Sequence, residues 1–386
     1  MPEKIPVLVV GDAPNVTGGL SRIARDITAL LYQDSDVLGI EVMQAGILYD
    51  GSPWPWRVFP LHDEPNWGRG DFERVWSWAA KGRQGVVFSV WDPARCFELK
   101  KAKWFRTLPG ANLWGYFAID SVNEQGGFGG PAKEVVEEYD RVLGYCAWGA
   151  KVLRKVMGEG KKINWLPHGL DLARWQGINT EASARILGCV AANQPRKDFP
   201  LLFAAARELK KQKGWEGLKL WLHTDFAVKH WSVPELADIY GWNNEDFELT
   251  SGLGDAELAA MYSACTVTFG IGSGEGFGYP LVESLAAGTP CVHGNFGGGA
   301  EFIPRQEWLV QPSYYRIDGT YALQRPVYNV GRVVAALKSA GEEKLVDPLT
   351  TSEYCKGAVK NLDWKVLWPR WRNWFAAGLK ELKETM

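Results

Sequence analysis

Residues 274–283 read Gly-Glu-Gly-Phe-Gly-Tyr-Pro-Leu-Val-Glu and follow an apolar, strand-like run ending near Gly270. Pro280 suits the first turn of a helix, and Leu281, Val282 and Leu285 form its apolar stripe. A glycine-rich loop therefore joins the C-terminal end of a strand to a helix N-terminus. Such a junction offers free backbone N–H groups and the positive end of a helix dipole, which suit phosphate. Glu275 and Glu283 lie eight positions apart, with Glu283 off the stripe. Ionised carboxylates only accept hydrogen bonds, so the pair fits the hydroxyls of a hexose or a ribose. Taken alone, the stretch also fits a glycine-rich turn with two solvated acids.

Outward from this loop, short apolar runs alternate with amphipathic segments of helical length, the pattern of parallel βαβ units. Strands are expected at 185–191, 218–223, 266–270 and 289–293 in the second half, and at 5–10, 85–90, 113–118, 142–145 and 163–166 in the first. Ile23, Ile27, Leu30 and Leu31 mark one face of a helix after the first strand. Residues 50–70, rich in Pro, Gly and Trp, read as an irregular excursion. A boundary is expected within 168–184, across the polar stretch Gln176–Ser183. The α/β chain thus divides into an N-terminal Rossmann-like domain at 1–170 and a second at 171–365. The segment 366–386 forms a C-terminal helix starting near Pro369, with a stripe of Trp371, Trp374, Phe375, Leu379 and Leu382. That helix either packs back onto the protein or makes a peripheral contact with a membrane surface.

The chain has 386 residues, 46% hydrophobic and 23% charged, which fits two globular α/β domains. A formal net charge of -2 gives no general attraction to nucleic acid or anionic membrane. The six cysteines lie far apart without C-x-x-C spacing, so they read as reduced thiols in a cytoplasmic protein. No signal peptide and no integral membrane segment are expected. Among the 20 tryptophans, positions 54, 56, 67, 76, 78, 91, 104 and 114 fall in the first domain. Most are expected in the core, although aromatic faces also stack on sugars and bases.

Four further segments stand in order around the opening loop. Gly18-Gly19 follow the first strand, Pro167-His168-Gly169-Leu170-Asp171 marks the boundary, Asn193–Phe199 follows the second domain's first strand, and Asn295–Ile303 follows the signature. Together with the E-x7-E spacing, this set resembles the retaining glycosyltransferase family four of the GT-B fold. The likeness is clear over about 160–300 and weak over 35–160. It implies two Rossmann-like domains facing a central cleft, with a nucleotide-sugar donor in the second and a hydroxyl acceptor in the first. By that resemblance Glu283 holds the ribose, Glu275 contacts the transferred sugar beside the amides of Gly276, Phe277 and Gly278, and Arg196 and Lys197 bind the diphosphate. Gly18 and Gly19 allow a close backbone approach to phosphates or acceptor, or form an ordinary tight turn. His168 either joins the site or only orders the junction. Where many members place a first-domain His, this chain has Tyr116–Ser121, so Asp120 either stands in for it or caps a local turn.

No metal site and no cofactor are expected beyond the donor as co-substrate, a UDP- or GDP-sugar. Asp34-Ser35-Asp36 has the Asp-x-Asp form used for metal in another glycosyltransferase fold, but lacks that fold's context and reads as a solvated loop. The expected acceptor is a glycan, a lipid-linked glycan or a small metabolite. A hydroxylated DNA base is an alternative that the net charge disfavours, and a nucleotide-sugar-binding module without turnover is another. A Rossmann oxidoreductase is disfavoured, because Gly11–Gly19 does not supply G-x-G-x-x-G.

Overall fold

The computed structural model describes residues 3–62, 68, 70–93, 95–96, 108–158, 161, 163–175, 184–225, 230–319 and 322–385. Trp67, Trp104 and the polar stretch Gln176–Ser183 lie outside them. The chain divides into two compact units, Met1–His168 with Leu367–Met386, and Gly169–Val366.

The first unit is built on a parallel sheet in the order β3-β2-β1-β4-β5-β6-β7. Its strands are β1 (Ile5–Asp12), β2 (Ile40–Ile47), β3 (Arg57–Leu61), β4 (Gly85–Val90), β5 (Ala111–Phe117), β6 (Arg141–Gly144) and β7 (Asn164–Trp165). β1 and β4 are buried almost end to end, as expected for strands covered on both faces. β2 and β3 were not expected from the sequence. Gln44 breaks the apolar run of β2, yet it is fully buried, donating to the Asp12 carbonyl at 3.2 Å and accepting from Trp56 Nε1 at 3.0 Å. β3 lies inside the stretch read as irregular, and its Pro60 is tolerated because β3 is an edge strand.

The second unit repeats the scheme in the order β10-β9-β8-β11-β12-β13. These are β8 (Ile186–Val190), β9 (Lys219–His223), β10 (Phe247–Thr250), β11 (Val267–Phe269), β12 (Cys291–Gly294) and β13 (Leu309–Val310). An antiparallel pair, β14 (Tyr314–Asp318) and β15 (Leu323–Val327), was not foreseen. In each sheet the strand order reverses once, between β1 and β4 and between β8 and β11. A crevice outside the C-terminal ends of the strands forms at such a reversal, and ligands of open α/β sheets bind there.

The C-terminal helix spans Trp364–Thr385, so Pro369 sits inside it rather than at its start. Asp363 supplies the earlier start, its side chain accepting from Lys365 N at 2.8 Å. Trp371, Phe375, Leu379 and Leu382 are buried, with the Phe375 ring 5.1 Å from Phe88 and 5.5 Å from Trp114. The apolar stripe is thus part of the first unit's core, which overturns the membrane-surface alternative. Among the described residues no helix is long and apolar enough to cross a membrane. Trp56, Trp76, Trp91 and Trp114 are buried, whereas Trp78 is exposed.

Candidate functional site

At the reversal point of the second unit, β8 leads into a turn that the sequence fixes closely. Asn193 is buried, and its side chain donates to Trp231 O at 2.8 Å and accepts from Trp231 N at 2.9 Å. A single 3-10 turn, Pro195–Lys197, follows, and Asp198 adopts the left-handed region at φ 46° before the helix Phe199–Lys210. The loop after β11 docks directly on this turn. Ser273 N donates to Arg196 O at 2.7 Å, and a Cβ on Gly272 would stand 2.9 Å from that same oxygen. Glycine at 272 is what permits this approach.

The docking brings Arg196, Lys197 and Glu275 together. Arg196 Nη1 donates to Gly274 O at 2.7 Å and lies 3.3 Å from Glu275 Oε2. Lys197 Nζ donates to the same Oε2 at 2.5 Å. Gly298 N, from the loop after β12, donates to Glu275 O at 2.8 Å. Burial opposes ionisation of Glu275, but the Lys197 and Arg196 charges override it and hold the carboxyl well below the usual carboxylate range. Burial, with the neighbouring Arg196 charge, pulls Lys197 below the ordinary lysine value, and Glu275 opposes that pull.

The helix Tyr279–Ala286 begins at Gly278, which adopts φ 91°; a Cβ there would lie 2.6 Å from Leu281 Cδ2. Phe277 is buried with its ring 4.6 Å from Phe302, so it anchors the loop from below. Gly276 is also buried. Glu283 is buried, only 5% exposed, with Tyr262 OH donating to its Oε2 at 3.2 Å. The helix is buried on nearly every side, so its apolar stripe did not identify a solvent face.

His293, at the end of β12, was missed by the sequence reading. Its Nδ1 lies 2.7 Å from the Gly294 carbonyl, which can only accept, so Nδ1 carries the proton and Nε2 is the acceptor. Nε2 is buried and has no hydrogen-bond partner among the described residues. Burial pushes the imidazole toward neutrality, and Glu275 opposes this. His293, Lys197, Glu275, Gly278 and Pro280 line one small cavity. A lone histidine ending an apolar run carries no spacing signal that could have marked it.

The remaining expected residues fall in the first unit. Gly18 caps the helix Gly19–Gln33 with open space where a Cβ would point. Asp120 lies beyond the end of β5 and acts electrostatically on Asp92. His168 is buried beneath the sheet's C-terminal edge, its Nδ1 3.0 Å from Tyr116 OH and its ring 4.9 Å from that of Tyr145. Since Tyr116 OH donates to Leu166 O at 2.7 Å, Nδ1 is the donor to Tyr116, and the contact is an internal brace. The stretch Asp34–Asp36, read as a solvated loop, opens a short helical turn instead: Asp34 accepts from Trp368 Nε1 at 2.7 Å, and Asp36 pairs with Lys4 at 2.6 Å.

Comparisons with known proteins agree with this architecture. Sucrose-phosphate synthase from Thermosynechococcus elongatus superimposes with a TM-score of 0.71 at 16% identity, over 99% of both chains. A glycosyltransferase from Rickettsia africae gives 0.68 at 14%, over 99% of this chain and 100% of that one. HepE of Anabaena, solved in complex with UDP-glucose, gives 0.66 at 12%, over 98% of both. The fold is GT-B. Residues 184–316 match the family model "Glycosyl transferases group 1", so the second unit carries a domain of that group. Two curated relatives align over part of their length. The MMP α-(1→4)-mannosyltransferase of Mycolicibacterium hassiacum is 27% identical over 143 residues, 37% of this chain and 34% of that protein. The GtfA subunit of a Streptococcus pneumoniae UDP-N-acetylglucosamine–peptide N-acetylglucosaminyltransferase is 33% identical over 119 residues, 26% of this chain and 22% of that protein. The chain therefore spans about a third or less of the curated relatives it matches.

Proposed function

We propose that this chain is a retaining glycosyltransferase that uses a UDP- or GDP-sugar without a divalent metal ion. The acceptor is a hydroxyl on a glycan, a lipid-linked glycan or a small metabolite. The observation that carries this reading is the convergence of Arg196, Lys197 and Glu275 at the reversal point of the group 1 domain. Two cations compensated by one carboxylate leave a net positive site beside a helix N-terminus. That charge suits a diphosphate, which gains negative charge as it leaves. Arg196 and Lys197 bind the diphosphate, Glu275 orients them and meets the transferred sugar, and Glu283 accepts from the ribose hydroxyls. The amides of Gly276, Phe277 and Gly278 surround the same ligand. With cations fixed by the protein, no metal ion is required to neutralise the leaving group.

Calorimetric titration of UDP and GDP in excess chelator tests the reading. One of the two is expected to bind to the wild type, and Glu283→Ala is expected to weaken it by roughly 1.5–3 kcal/mol for the lost charged hydrogen bond. Binding that appears only on adding magnesium or manganese would overturn the metal-free reading. An unchanged dissociation constant in the variant would remove Glu283 from the ribose. Radiolabelled donor distinguishes an enzyme, which hydrolyses or transfers the sugar, from a binding module.

A further inference from the structure

His293 is a buried polar group to which the proposed chemistry gives no task. Its ring lies near the end of β12 between two glycines. A Cβ on Gly270 would stand 3.4 Å from its Cδ2, and one on Gly299 only 2.7 Å from its Nε2. Any side chain at 299 would therefore collide with that nitrogen. Nδ1 is committed to the Gly294 carbonyl, and burial keeps the ring neutral, so Nε2 can only accept. The residue is 2% exposed, and Nε2 finds no donor among the described residues. A buried acceptor in that state is costly, and a ligand O–H placed against it removes the cost.

The size of the space beside the ring is a second, independent observation. His293 lines the same cavity as Lys197 and Glu275. That cavity measures about 20 Å³, room for one water-sized group. Apart from the weakly accepting thiol of Cys189, the rest of its lining is apolar or glycine, with Val190, Phe269, Ile271 and Leu281 among it. Glu275 Oε2 is already engaged by Lys197 and Arg196. A hydroxyl fits this space and meets Nε2 as its acceptor. An acetamido, methoxy or phospho group does not fit.

We infer that His293 sets donor specificity: one hydroxyl of the transferred sugar enters this cavity and donates to Nε2, so the donor carries a free hydroxyl at that carbon. The inference rests on the donor-site reading and deepens it from a sugar in general to one left unsubstituted at that position. A deoxy sugar leaves Nε2 unpaired. A site built to pair a hydroxyl rejects the analogue lacking it far more strongly than an apolar pocket rejects a lost methylene.

Calorimetry on the full chain tests the role without turnover. The probes are UDP and GDP, their glucose, galactose and mannose conjugates, and the 2-, 3-, 4- and 6-deoxy analogues of the conjugate that binds most tightly. At one carbon, the deoxy analogue is expected to bind wild type about tenfold or more weakly than its parent. His293→Asn keeps a donor near the place of Nδ1 and removes Nε2. It is expected to erase the difference at that carbon while leaving the affinity for the free nucleoside diphosphate unchanged. His293→Gln, whose side-chain oxygen reaches toward the place of Nε2, is expected to restore part of it. Equal affinity of wild type for the parent and every deoxy analogue, or discrimination that persists in His293→Asn, would overturn the inference. Wild-type protein labelled with nitrogen-15 in its imidazoles gives a check that needs no variant to fold. The Nε2 resonance of His293 is expected to move with the parent conjugate and not with the rejected analogue, and indifference to both would overturn the inference. Failure of both UDP and GDP to bind would sink the donor-site reading and this inference with it. A nucleotide that binds while its sugars are all alike would sink this inference alone.

Discussion

Lys197 is the residue on which the proposed chemistry turns. Its ammonium is held at 2.5 Å from Glu275 and is depressed by burial and by Arg196. If it stabilises charge developing on the leaving diphosphate, it matters more in the transition state than in the ground state. Lys197→Ala is then expected to lower kcat by on the order of a hundredfold, with a smaller loss of donor affinity. Lys197→Gln should not rescue it, because length returns without charge. Saturating kinetics beside a separate affinity measurement decide this, and unchanged turnover at saturation would leave Lys197 a phosphate anchor. The pH dependence has a fixed sign: the depressed lysine loses its proton below its ordinary 10.5, so activity should fall on the alkaline side before that value. At this scale the sequence was legible where residue types cluster along the chain. Glu275, Arg196 and Lys197 stood out by motif, and the fold brings them together. His293 did not, because a lone polar residue ending an apolar run looks the same whether or not its polar atom finds a partner among the described residues.

At the scale of elements, the junction between loop and helix at Gly278 tests whether backbone shape or side chains make the phosphate pocket. Gly278 adopts φ 91°, and an added Cβ would meet Leu281 Cδ2 at 2.6 Å. Gly278→Ala is expected to cost about 1–3 kcal/mol in urea denaturation from the left-handed backbone alone. It should also weaken nucleotide binding, because relief of the collision tilts the helix N-terminus. Wild-type stability together with wild-type affinity would show that the loop is not under this constraint. The expected strands with unbroken apolar runs all appear, with β4 found at its expected residues 85–90. β2 was hidden by Gln44, whose polarity signals solvent in one dimension but is satisfied by Asp12 and Trp56 in three. Pro369 misled for a related reason. Proline favours a helix start, but the capping carboxylate of Asp363 set the start earlier and the packed face of Trp371 and Phe375 keeps the helix through the proline.

For the whole molecule, the uneven placement of buried thiols between the units sets an expected order of alkaline unfolding. Burial pushes Cys96 in the first unit, and Cys189, Cys265, Cys291 and Cys355 in the second, from 9.0 up to about 12. An acid raised in the folded state contributes stability that is complete below its unfolded value and is lost as pH rises through the folded value. Between pH 9 and 12 each thiol therefore removes about 1.4 kcal/mol per pH unit, because the unfolded chain has released a proton that the native chain keeps. Lys344 works in the opposite direction. Its ammonium donates to Ser263 O at 3.0 Å, Cys265 O at 2.6 Å and Thr289 Oγ1 at 2.7 Å, and burial lowers it from 10.5 to about 8. Between those values the unfolded chain holds the extra proton, so stability rises with pH by about the same slope, and the depressed Lys197 acts in the same sense. Four raised thiols against two depressed lysines in the second unit, and Cys96 against Lys161 in the first, leave the second unit losing stability faster above pH 9. Domains of this kind are stable by only about 5–15 kcal/mol, so the second unit should open above pH 9 before the first. Limited proteolysis under reducing conditions, with fragments mapped by mass spectrometry from pH 8 to 11, reads the order directly. Thiolate absorbance followed in parallel should rise together with cleavage in 169–366. First cleavage in 3–168 at that pH, or thiolate formation without any loss of protection, would show that buried thiols do not govern the alkaline limit.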